Sequence, residues 1–402
     1  MKILHTADWH IGKKLHKYDL LSDFELFIDW LVAFIEQEKI DVLLVSGDIF
    51  DLANPSNESK RLYYQSLVRL KNTGVEIIIT GGNHDSPALL NAPKNVLKEL
   101  QINVVGELPK NLEEVLIPIY NNQQKIEVVI AAIPYLRNTS LQGDEVAKTY
   151  DERVSNLRKG IQTYYQKIAN IVAEKYPSTP CVAMGHLFAK GVSTSESERD
   201  IQLGNQASVE ASEFGNYYSY IALGHIHKPQ QVKGEIPIFY SGSPLPLSFS
   251  ERVDTKRILV IDTAVSFEPI SVEVPSFRKL ISVSGSLSSV KEKLNALRSD
   301  STLTDLIEIE IIENQYDPQI SYQLTEFLDE FSSPKMEIVK HRIRFTEVTH
   351  KIGDVIENQL QLQEMKVQDV FDKRLEDVDL PNDKRELLKM AVDELLEEIS
   401  TS

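Results

Sequence analysis

The chain has 402 residues, of which 42% are hydrophobic, and its 43 Lys and Arg against 60 Asp and Glu give a net charge of −17. This length is enough for one sizeable core and one or two smaller units. The acidic balance argues against a protein that coats nucleic acid with a generally basic surface. The single cysteine excludes an internal disulfide framework, and no apolar stretch is long enough to cross a membrane.

Residues 1–275 alternate strand and helix patterns. Ser22–Glu38 has apolar residues at helical spacing, and Ser22 with Glu25 has the spacing of a capping box. The patterns predict further helices at 57–71, 88–100 and 153–174, strands at 126–133, 237–240, 257–262 and 270–274, and polar loops at 138–143 and 191–206. Such alternation predicts an α/β core whose sheets are covered by helices. Asp8 and His10 interrupt the apolar N-terminal run, so we expect no signal peptide and a cytoplasmic protein.

The pattern changes at residue 276. Strands at 280–284, 306–312 and 337–345 alternate with helices at 286–298 and 320–331, which predicts a small βαβαβ domain over 276–346. The tail from 353 to 402 is acidic, and its last helical pattern places Leu388, Val392, Leu395 and Ile399 on one face. That apolar face could fold back on its own domain or dock onto a partner.

Five short motifs follow predicted strands in residues 1–275, and each combines glycine or alanine with metal-ligand residue types. Five of the nine histidines lie in these motifs. The motifs are Asp8-Trp9-His10, Gly47-Asp48-Ile49-Phe50-Asp51, Gly81-Gly82-Asn83-His84-Asp85, Gly185-His186 and Gly224-His225-Ile226-His227.

The position and chemistry of these motifs point to a metal centre. Sites in open α/β sheets form at the carboxyl ends of the strands. Carboxylate, amide and imidazole groups in this number suit two divalent ions, which can activate water and stabilise in-line displacement at a phosphate. The sequence therefore predicts a metal-dependent phosphoesterase.

Four segments carry a resemblance to a known family. Met1–Gly12, Gly47–Ser56, Ala222–Lys228 and Tyr240–Phe249 resemble the calcineurin-like metallophosphoesterases, and within them the SbcD family of bacterial nuclease subunits. The resemblance implies a sandwich of two central sheets flanked by helices, a small α/β capping domain and a helical C-terminal tail. It also implies a DNA exonuclease and endonuclease that acts in repair and recombination with an SbcC-like ATPase, as a homodimer within a heterotetramer.

The resemblance also implies roles for the motif residues. Asp8, His10, Asp48 and His227 would hold one ion, and Asp48, Asn83, His186 and His225 the other, with Asp48 bridging and Mn²⁺ the expected metal. Chain order by itself does not say which histidine binds which ion. His84 would face the reacting phosphate, or act as a further ligand. Asp85 would fix the tautomer of His84, or cap the following helix. Asp51 stands where many relatives have histidine, and we expect it to support the site or cap a loop.

Contacts to DNA have weaker signals. Lys13, Lys14 and Lys17 form a basic loop after the first motif, and the Ser241-Gly242-Ser243 segment could offer backbone N–H groups to phosphate. A solvated basic loop is the alternative.

Three functions are compatible with the predicted centre. The first is a DNA nuclease subunit that works with an ATPase. The second is a stand-alone phosphodiesterase or phosphatase that acts on a small molecule or a phosphoprotein. The third is a scaffold without catalysis, which the intact ligand set disfavours. The additional domain, the acidic tail and the Tyr240–Phe249 segment favour the first.

Overall fold

The structure is a computed structural model that describes residues 1–141, 149–202, 205–215 and 217–346, and after these only 368, 371, 375, 384–385, 388–393 and 395. The chain divides into two compact units. One contains Met1–Lys14 and Asp19–Pro275, and the other contains Leu15–Tyr18 and the segment that begins at Ser276. Among the described residues, no helix is long and apolar enough to span a bilayer.

The strands before Pro275 form two six-stranded sheets and one short hairpin. The strands are β1 (Lys2–Thr6), β2 (Lys14–Leu15), β3 (Tyr18–Asp19), β4 (Val42–Ser46), β5 (Glu76–Thr80), β6 (Ile102–Val105), β7 (Leu116–Tyr120), β8 (Ile126–Ala131), β9 (Cys181–His186), β10 (Tyr220–Gly224), β11 (Gln230–Val232), β12 (Ile238–Tyr240), β13 (Arg257–Asp262) and β14 (Ile270–Glu273). The first sheet has the order β14-β13-β1-β4-β5-β6 and the second β11-β12-β10-β9-β8-β7, while β2 and β3 form a separate hairpin.

The helices of this unit are α1 (Leu21–Glu38), α2 (Asn57–Asn72), α3 (Pro87–Asn91), α4 (Lys94–Glu99), α5 (Asn138–Leu141) and α6 (Tyr150–Lys175). Short 3₁₀ helices lie at Leu112–Val115, Ala211–Phe214 and Phe249–Val253. Long amphipathic helices pack on sheets by burying one apolar face, and α6 does so with a stripe that runs from Leu157 to Val172.

The two sheets pack face to face. Ile3, Leu44 and Ile78 of the first sheet share one core with Val182 and Tyr220 of the second. The opposite face of the second sheet packs against α6. Strands β4, β9 and β10 are therefore buried along their whole length, which explains why they are continuous apolar runs rather than alternating patterns.

The second unit contains the predicted βαβαβ arrangement. Its elements are β15 (Leu280–Gly285), α7 (Leu287–Ala296), β16 (Asp305–Glu313), α8 (Pro318–Glu330) and β17 (Met336–Phe345). The three strands are parallel, with β16 in the centre. Ile307, Ile309 and Ile311 of β16 pack with residues of α7 and α8 in one small core.

Four local predictions were wrong or incomplete. The predicted polar loop at 138–143 begins with helix α5. Helix α1 does not use the predicted Ser22–Glu25 box, because Ser22 lies inside the helix; the carboxylate of Asp19 accepts the Leu21 N–H at 3.2 Å instead. The predicted helix over 88–100 is two helices, since Pro93 lacks an N–H and separates α3 from α4. Strands β6, β7 and β11 were missed because they are short edge or near-edge segments.

The predicted tail lies mostly outside the described residues, and so does Ile399 of its predicted apolar face. The tail residues that are described are helical. Leu388 and Leu395, from the predicted apolar face, are 42% and 56% exposed.

Candidate metal centre

All five motifs meet at one edge of the two sheets. Asp8, Asp48 and Asn83 follow β1, β4 and β5 of the first sheet, while His186 ends β9 and His225 follows β10 of the second. These strands are parallel to their neighbours within each sheet, so their carboxyl ends share an edge. The sheets are joined there, because the His225 N–H donates to Asp8 Oδ1 at 2.8 Å and the Ser46 hydroxyl to the Ala222 carbonyl at 3.0 Å.

The backbone at this edge adopts an unusual conformation. Asp8, His10, Asp48 and His225 have φ values of 53°, 44°, 48° and 98°. Non-glycine residues with positive φ cost about 1–3 kcal/mol each and persist only where the surrounding structure holds them in place. Four of the seven predicted metal ligands share this conformation. The packing of the surrounding fold therefore stabilises a strained backbone at this centre.

The glycines of the motifs permit close approach between the loops. A Cβ atom on Gly82 would lie 2.2 Å from Asp48 Oδ1, and one on Gly47 would lie 2.2 Å from His186 Nδ1. Gly47 also has a φ of 84°, which favours glycine. The repeated order of strand, glycine and ligand in the sequence therefore reflects the space that the ligand side chains occupy.

The predicted ligands form two groups that meet at Asp48. Asp8, His10 and His227 have ligand atoms within 4.8 Å of one another, and so do Asp48, His186 and His225. A third group of His10, Asp48 and His84 meets the same criterion and links the two. Asp48 Oδ2 lies 3.4 Å from His10 Nε2 and 3.4 Å from His186 Nε2. The carboxylate of Asp48 thus lies between the two groups. Asn83 belongs with the second group, because its Oδ1 lies 2.9 Å from His186 Nε2.

The imidazoles are oriented by bonds to their other nitrogen. His186 Nδ1 lies 3.0 Å from the Ser46 carbonyl, His10 Nδ1 lies 3.2 Å from Asp51 Oδ1, and His227 Nδ1 lies 2.6 Å from Ser197 Oγ. A carbonyl or a carboxylate accepts, so Nδ1 of His186 and of His10 carries a proton, and Nε2 of each ring faces the centre, where it would bind a cation. His10 Nε2 and His227 Nε2 face each other at 3.2 Å.

These residues fit divalent cations. Asp8 Oδ2 and His225 Nε2 are buried and have no hydrogen-bond partner, although buried polar atoms are normally paired. Burial raises the pKa of Asp8 to about 7, against the opposing attraction of His186. Two facing imidazole Nε2 atoms, an orphaned carboxylate oxygen and an orphaned imidazole nitrogen are groups that a cation would satisfy.

The carboxylate of Asp48 stays charged in spite of its burial. Burial opposes its ionisation, but His186 and His84 together hold the pKa of Asp48 well below its usual range. Burial likewise opposes charge on His186, and Asp48 and Asp8 overcome it and raise the pKa of His186 to about 9. The carboxylate of Asp48 therefore provides a negative charge in the middle of the site.

His84 lies beside the centre with its own partners. Its backbone N–H donates to Asp48 Oδ1 at 2.9 Å, and its ring is edge-on to His10 with centroids 4.7 Å apart. The Nδ1–H donates to the Asp51 carbonyl at 2.7 Å. Burial lowers the pKa of His84 to about 3, with smaller contributions from His10 and Arg199 in the same direction.

The predicted role of Asp85 was wrong. Its carboxylate accepts three backbone N–H groups, from Ile49 and Phe50 at 3.0 Å and from Gly82 at 2.9 Å, so it ties two ligand loops together rather than fixing the tautomer of His84. The helix that follows is capped by Ser86, which accepts the Leu89 N–H. Asp51 takes the expected supporting role, because its carboxylate bonds His10 and Lys13 Nζ, each at 3.2 Å.

The predicted DNA contacts fall into two groups. Lys13 is half-buried and paired with Asp51, whereas Lys14 and Lys17 are exposed in and beside the β2–β3 hairpin. Ser243 was wrong as a donor to phosphate, because its backbone N–H already bonds the His227 carbonyl at 3.1 Å. Ser241 is fully buried, and its hydroxyl bonds the Gly242 carbonyl at 3.3 Å.

A buried polar network behind His227 was missed by the sequence reasoning. Glu251 Oε2 accepts from Lys256 Nζ at 2.5 Å and from the Leu247 N–H at 3.0 Å, while its Oε1 lies 3.4 Å from His227 Nδ1. Lys256 Nζ also donates to the His227 carbonyl at 3.1 Å. In the sequence, Glu251 and Lys256 are single charged residues shortly after the Tyr240–Phe249 segment. Nothing in their spacing links them to His227.

Two family models match the chain. Residues 1–229 match the calcineurin-like phosphoesterases, and residues 276–379 match the domain described as type 5 capsule protein repressor C-terminal domain. The second match begins at the predicted boundary and covers the predicted capping domain and part of the predicted tail. The fold and the site thus define a calcineurin-like phosphoesterase, a class that binds divalent metal ions.

Relatives of known name cover most of the chain. The SbcD subunit of the SbcCD nuclease from Escherichia coli (strain K12) is 30% identical over 385 residues, which span 93% of this chain and 92% of the relative. The SbcD subunits from Rhodobacter capsulatus and Bacillus subtilis (strain 168) are 34% and 31% identical, each over 68% of this chain and 69% of the relative. The chain belongs to the SbcD family of nuclease subunits.

Proposed function

We propose that this chain is the nuclease subunit of an SbcC–SbcD-type complex and hydrolyses DNA phosphodiester bonds with two divalent metal ions. It would act as a double-strand exonuclease and as an endonuclease on single strands and hairpins, in DNA end processing, repair and recombination. The observation that carries the proposal is the position of Asp48, whose Oδ2 lies at the same distance from an imidazole of each ligand group.

The ligand assignment follows the two groups. Asp8, His10, Asp48 and His227 hold one ion, and Asp48, Asn83, His186 and His225 hold the other. Oxygen and imidazole donors without thiolate suit Mn²⁺, which we propose as the native metal. When bound, the two ions supply a nucleophilic water and Lewis acidity at the phosphate.

The protein residues then orient the substrate and move one proton. With Nδ1 of His84 committed to the Asp51 carbonyl, only Nε2 can exchange a proton with the substrate. An entering phosphodiester anion favours the charged form of the ring, so we propose that Nε2 of His84 carries a proton in the substrate complex and donates it to the leaving oxygen.

Partner and domain roles are part of the same proposal. An SbcC-like ATPase is the proposed partner, with two copies of this chain in a heterotetramer in the cytoplasm. Residues 276–346 would cap the nuclease face, and residues 353–402 would dock onto the ATPase. The exposure of Leu388 and Leu395 supports docking, because an apolar helical face requires a surface that covers it.

One assay separates this function from a stand-alone phosphodiesterase or phosphatase. The purified chain, with and without an SbcC-like ATPase, is given Mn²⁺ and three substrates: linear duplex DNA, a cyclic dinucleotide and a phosphopeptide. We expect turnover of DNA that chelator abolishes and that the ATPase with ATP increases on duplex ends. Turnover of the cyclic dinucleotide or the phosphopeptide without DNA cleavage would refute the nuclease assignment.

A further inference from the structure

The polar loop that follows β9 contacts His227, one of the proposed metal ligands. Glu198 Oε1 accepts the His227 N–H at 2.9 Å, and Glu198 Oε2 accepts the Ser195 N–H at 2.6 Å. The hydroxyl oxygen of Ser197 lies 2.6 Å from His227 Nδ1. The sequence predicted only a polar loop at this place, but two of its side chains bond a residue of the metal centre.

The partner of His227 differs in kind from those of the other oriented imidazoles. Nδ1 of His10 faces a carboxylate oxygen and Nδ1 of His186 faces a carbonyl oxygen, and both of these atoms can only accept. The hydroxyl of Ser197 can donate or accept, so by itself it leaves two tautomers of His227 open. If the hydroxyl donated to Nδ1, the proton of the neutral ring would be on Nε2, and that nitrogen could not bind a cation.

Glu251 decides between these two tautomers. Its Oε1 accepts the Ser197 hydroxyl, while its Oε2 pairs with Lys256 Nζ at 2.5 Å. A charged carboxylate has no proton to donate and accepts more strongly than a neutral group. The Ser195 hydroxyl, whose oxygen lies 2.8 Å from that of Ser197, is such a neutral and weaker acceptor. The Ser197 proton therefore goes to Glu251, and the Ser197 oxygen accepts from Nδ1–H of His227.

We propose that Ser197 is a positioning residue for one metal ion: it passes the acceptor strength of Glu251 to His227 and fixes the tautomer whose Nε2 lone pair binds the ion. This inference rests on the proposed function, because it uses the ligand assignment given there. His227 belongs to only one of the two proposed ligand sets, so the effect of Ser197 should be confined to one metal position. Ser197 lies in a loop that contributes no metal ligand.

The test measures Mn²⁺ binding in the absence of substrate. Equilibrium dialysis of the metal-free, full-length chain against Mn²⁺ gives the number of ions bound and the dissociation constant of each. Ser197→Ala should weaken the binding of one ion by about 10- to 100-fold, the usual effect of losing a partner behind a ligating histidine. The affinity for the other ion should stay largely unchanged. Ser197→Thr keeps the hydroxyl and should recover most of the lost affinity.

Two comparisons separate the positioning of His227 from a general role of the loop. The matched control is Ser193→Ala, which removes an exposed hydroxyl of the same loop that bonds Gln230 and should leave the binding of both ions unchanged. In a His227→Ala background, Ser197→Ala should cause no further loss of Mn²⁺ affinity, because a residue that acts through His227 has nothing left to position. Thermal unfolding with chelator checks that every variant is folded.

Three results would overturn the inference. Normal binding of both ions by Ser197→Ala, even with a lower unfolding temperature, would make Ser197 a structural residue of the loop. If Ser197→Thr bound Mn²⁺ no better than Ser197→Ala, the hydroxyl would not be the responsible group. A further loss of affinity in the His227→Ala background would show that Ser197 acts by another route. None of these measurements uses DNA, so a chain with the expected metal binding but no DNA cleavage would refute the nuclease proposal and leave this inference in place.

Discussion

The Nδ1–H of His84 donates to the main-chain carbonyl oxygen of Asp51 at 2.7 Å, while the side chain of the same Asp51 lies 3.2 Å from Nδ1 of His10. One residue thus orients two imidazoles of the site, one through its backbone and one through its carboxylate. Substitution of Asp51 removes the second contact only. The two histidines can therefore be perturbed separately.

We expect Asp51→Ala to weaken metal binding while His84 keeps its orientation. Loss of a hydrogen-bond partner behind a ligating histidine typically costs about 10- to 100-fold in metal affinity or activity. Titration with Mn²⁺, followed by the activity at saturating metal, measures this. Recovery of most of the rate at high Mn²⁺ is the expected result. A rate that stays low with both ions bound would show that the Asp51 side chain acts on the substrate instead.

His84→Gln should retain both metals and lower the rate by about 10²–10⁴-fold, the usual contribution of a general acid. Glutamine keeps a polar side chain but cannot transfer a proton. Metal content by mass spectrometry and single-turnover cleavage of DNA test the prediction. A variant that loses one ion would identify His84 as a ligand, the alternative that its proximity to His10 and Asp48 leaves open.

Asp48→Ala should abolish hydrolysis and reduce the occupancy of both metal positions. Its Oδ2 lies between the two ligand groups, so one substitution removes a donor from each. The control is Asp29→Ala, which removes an exposed carboxylate of α1 that pairs with Arg69 of α2. This variant should keep its metal ions and its activity. Two ions per chain with normal turnover in Asp48→Ala would contradict the two-ion assignment.

Glu251→Gln should destabilise the chain by about 3–5 kcal/mol, the usual loss when one partner of a buried ion pair is removed. Glu251 is fully buried, and its substitution leaves Lys256 without a counter-ion. The exposed pair Lys2–Glu38 gives the control, since Glu38→Gln should cost less than about 1 kcal/mol. Urea unfolding at pH 7, with chelator present in all samples, measures both values.

The effect of Glu251 also has a defined pH dependence. Although burial opposes its charge, His227 and Lys256 hold the pKa of Glu251 well below its usual range. A lowered pKa stabilises the folded chain at pH values above the unfolded value of about 4.3, and that stabilisation is lost as the pH falls toward the folded value. The stability difference between the unmodified chain and Glu251→Gln should therefore shrink below about pH 4. A difference that grows with acidity would contradict the assignment.

Truncation after Ile352 should leave the metal centre intact, because all proposed ligands precede residue 228. The truncated chain should cut short single-stranded DNA slowly with Mn²⁺ but lose ATP-dependent cutting of duplex ends. The reason is the loss of the apolar face that includes Leu388 and Leu395. Co-purification of the full-length and truncated forms with an SbcC-like ATPase tests whether the tail is the docking segment. Equal binding by the truncated form would show that docking lies elsewhere.

The sequence by itself determined the chemistry of the centre and the edge at which it forms. Apolar runs before Asp8, Asp48, Asn83, His186 and His225 marked buried strands, and parallel pairing brings the carboxyl ends of neighbouring strands together within each sheet, whereas the packing of the two sheets brings the two sets of ligands together. The βαβαβ pattern after Ser276 was likewise readable, because α7 and α8 follow local periodicity.

Only the tertiary structure decided what surrounds the ligands. Asp85 bonds backbone groups of another loop, the tautomer of His84 depends on a carbonyl, and Glu251 and Glu198 hold His227 from positions 24 and 29 residues away. Backbone carbonyl and amide groups are present at every residue and leave no trace in composition or spacing. Contacts of this kind arise when the two sheets pack and their loops converge, so they became visible only in the folded chain.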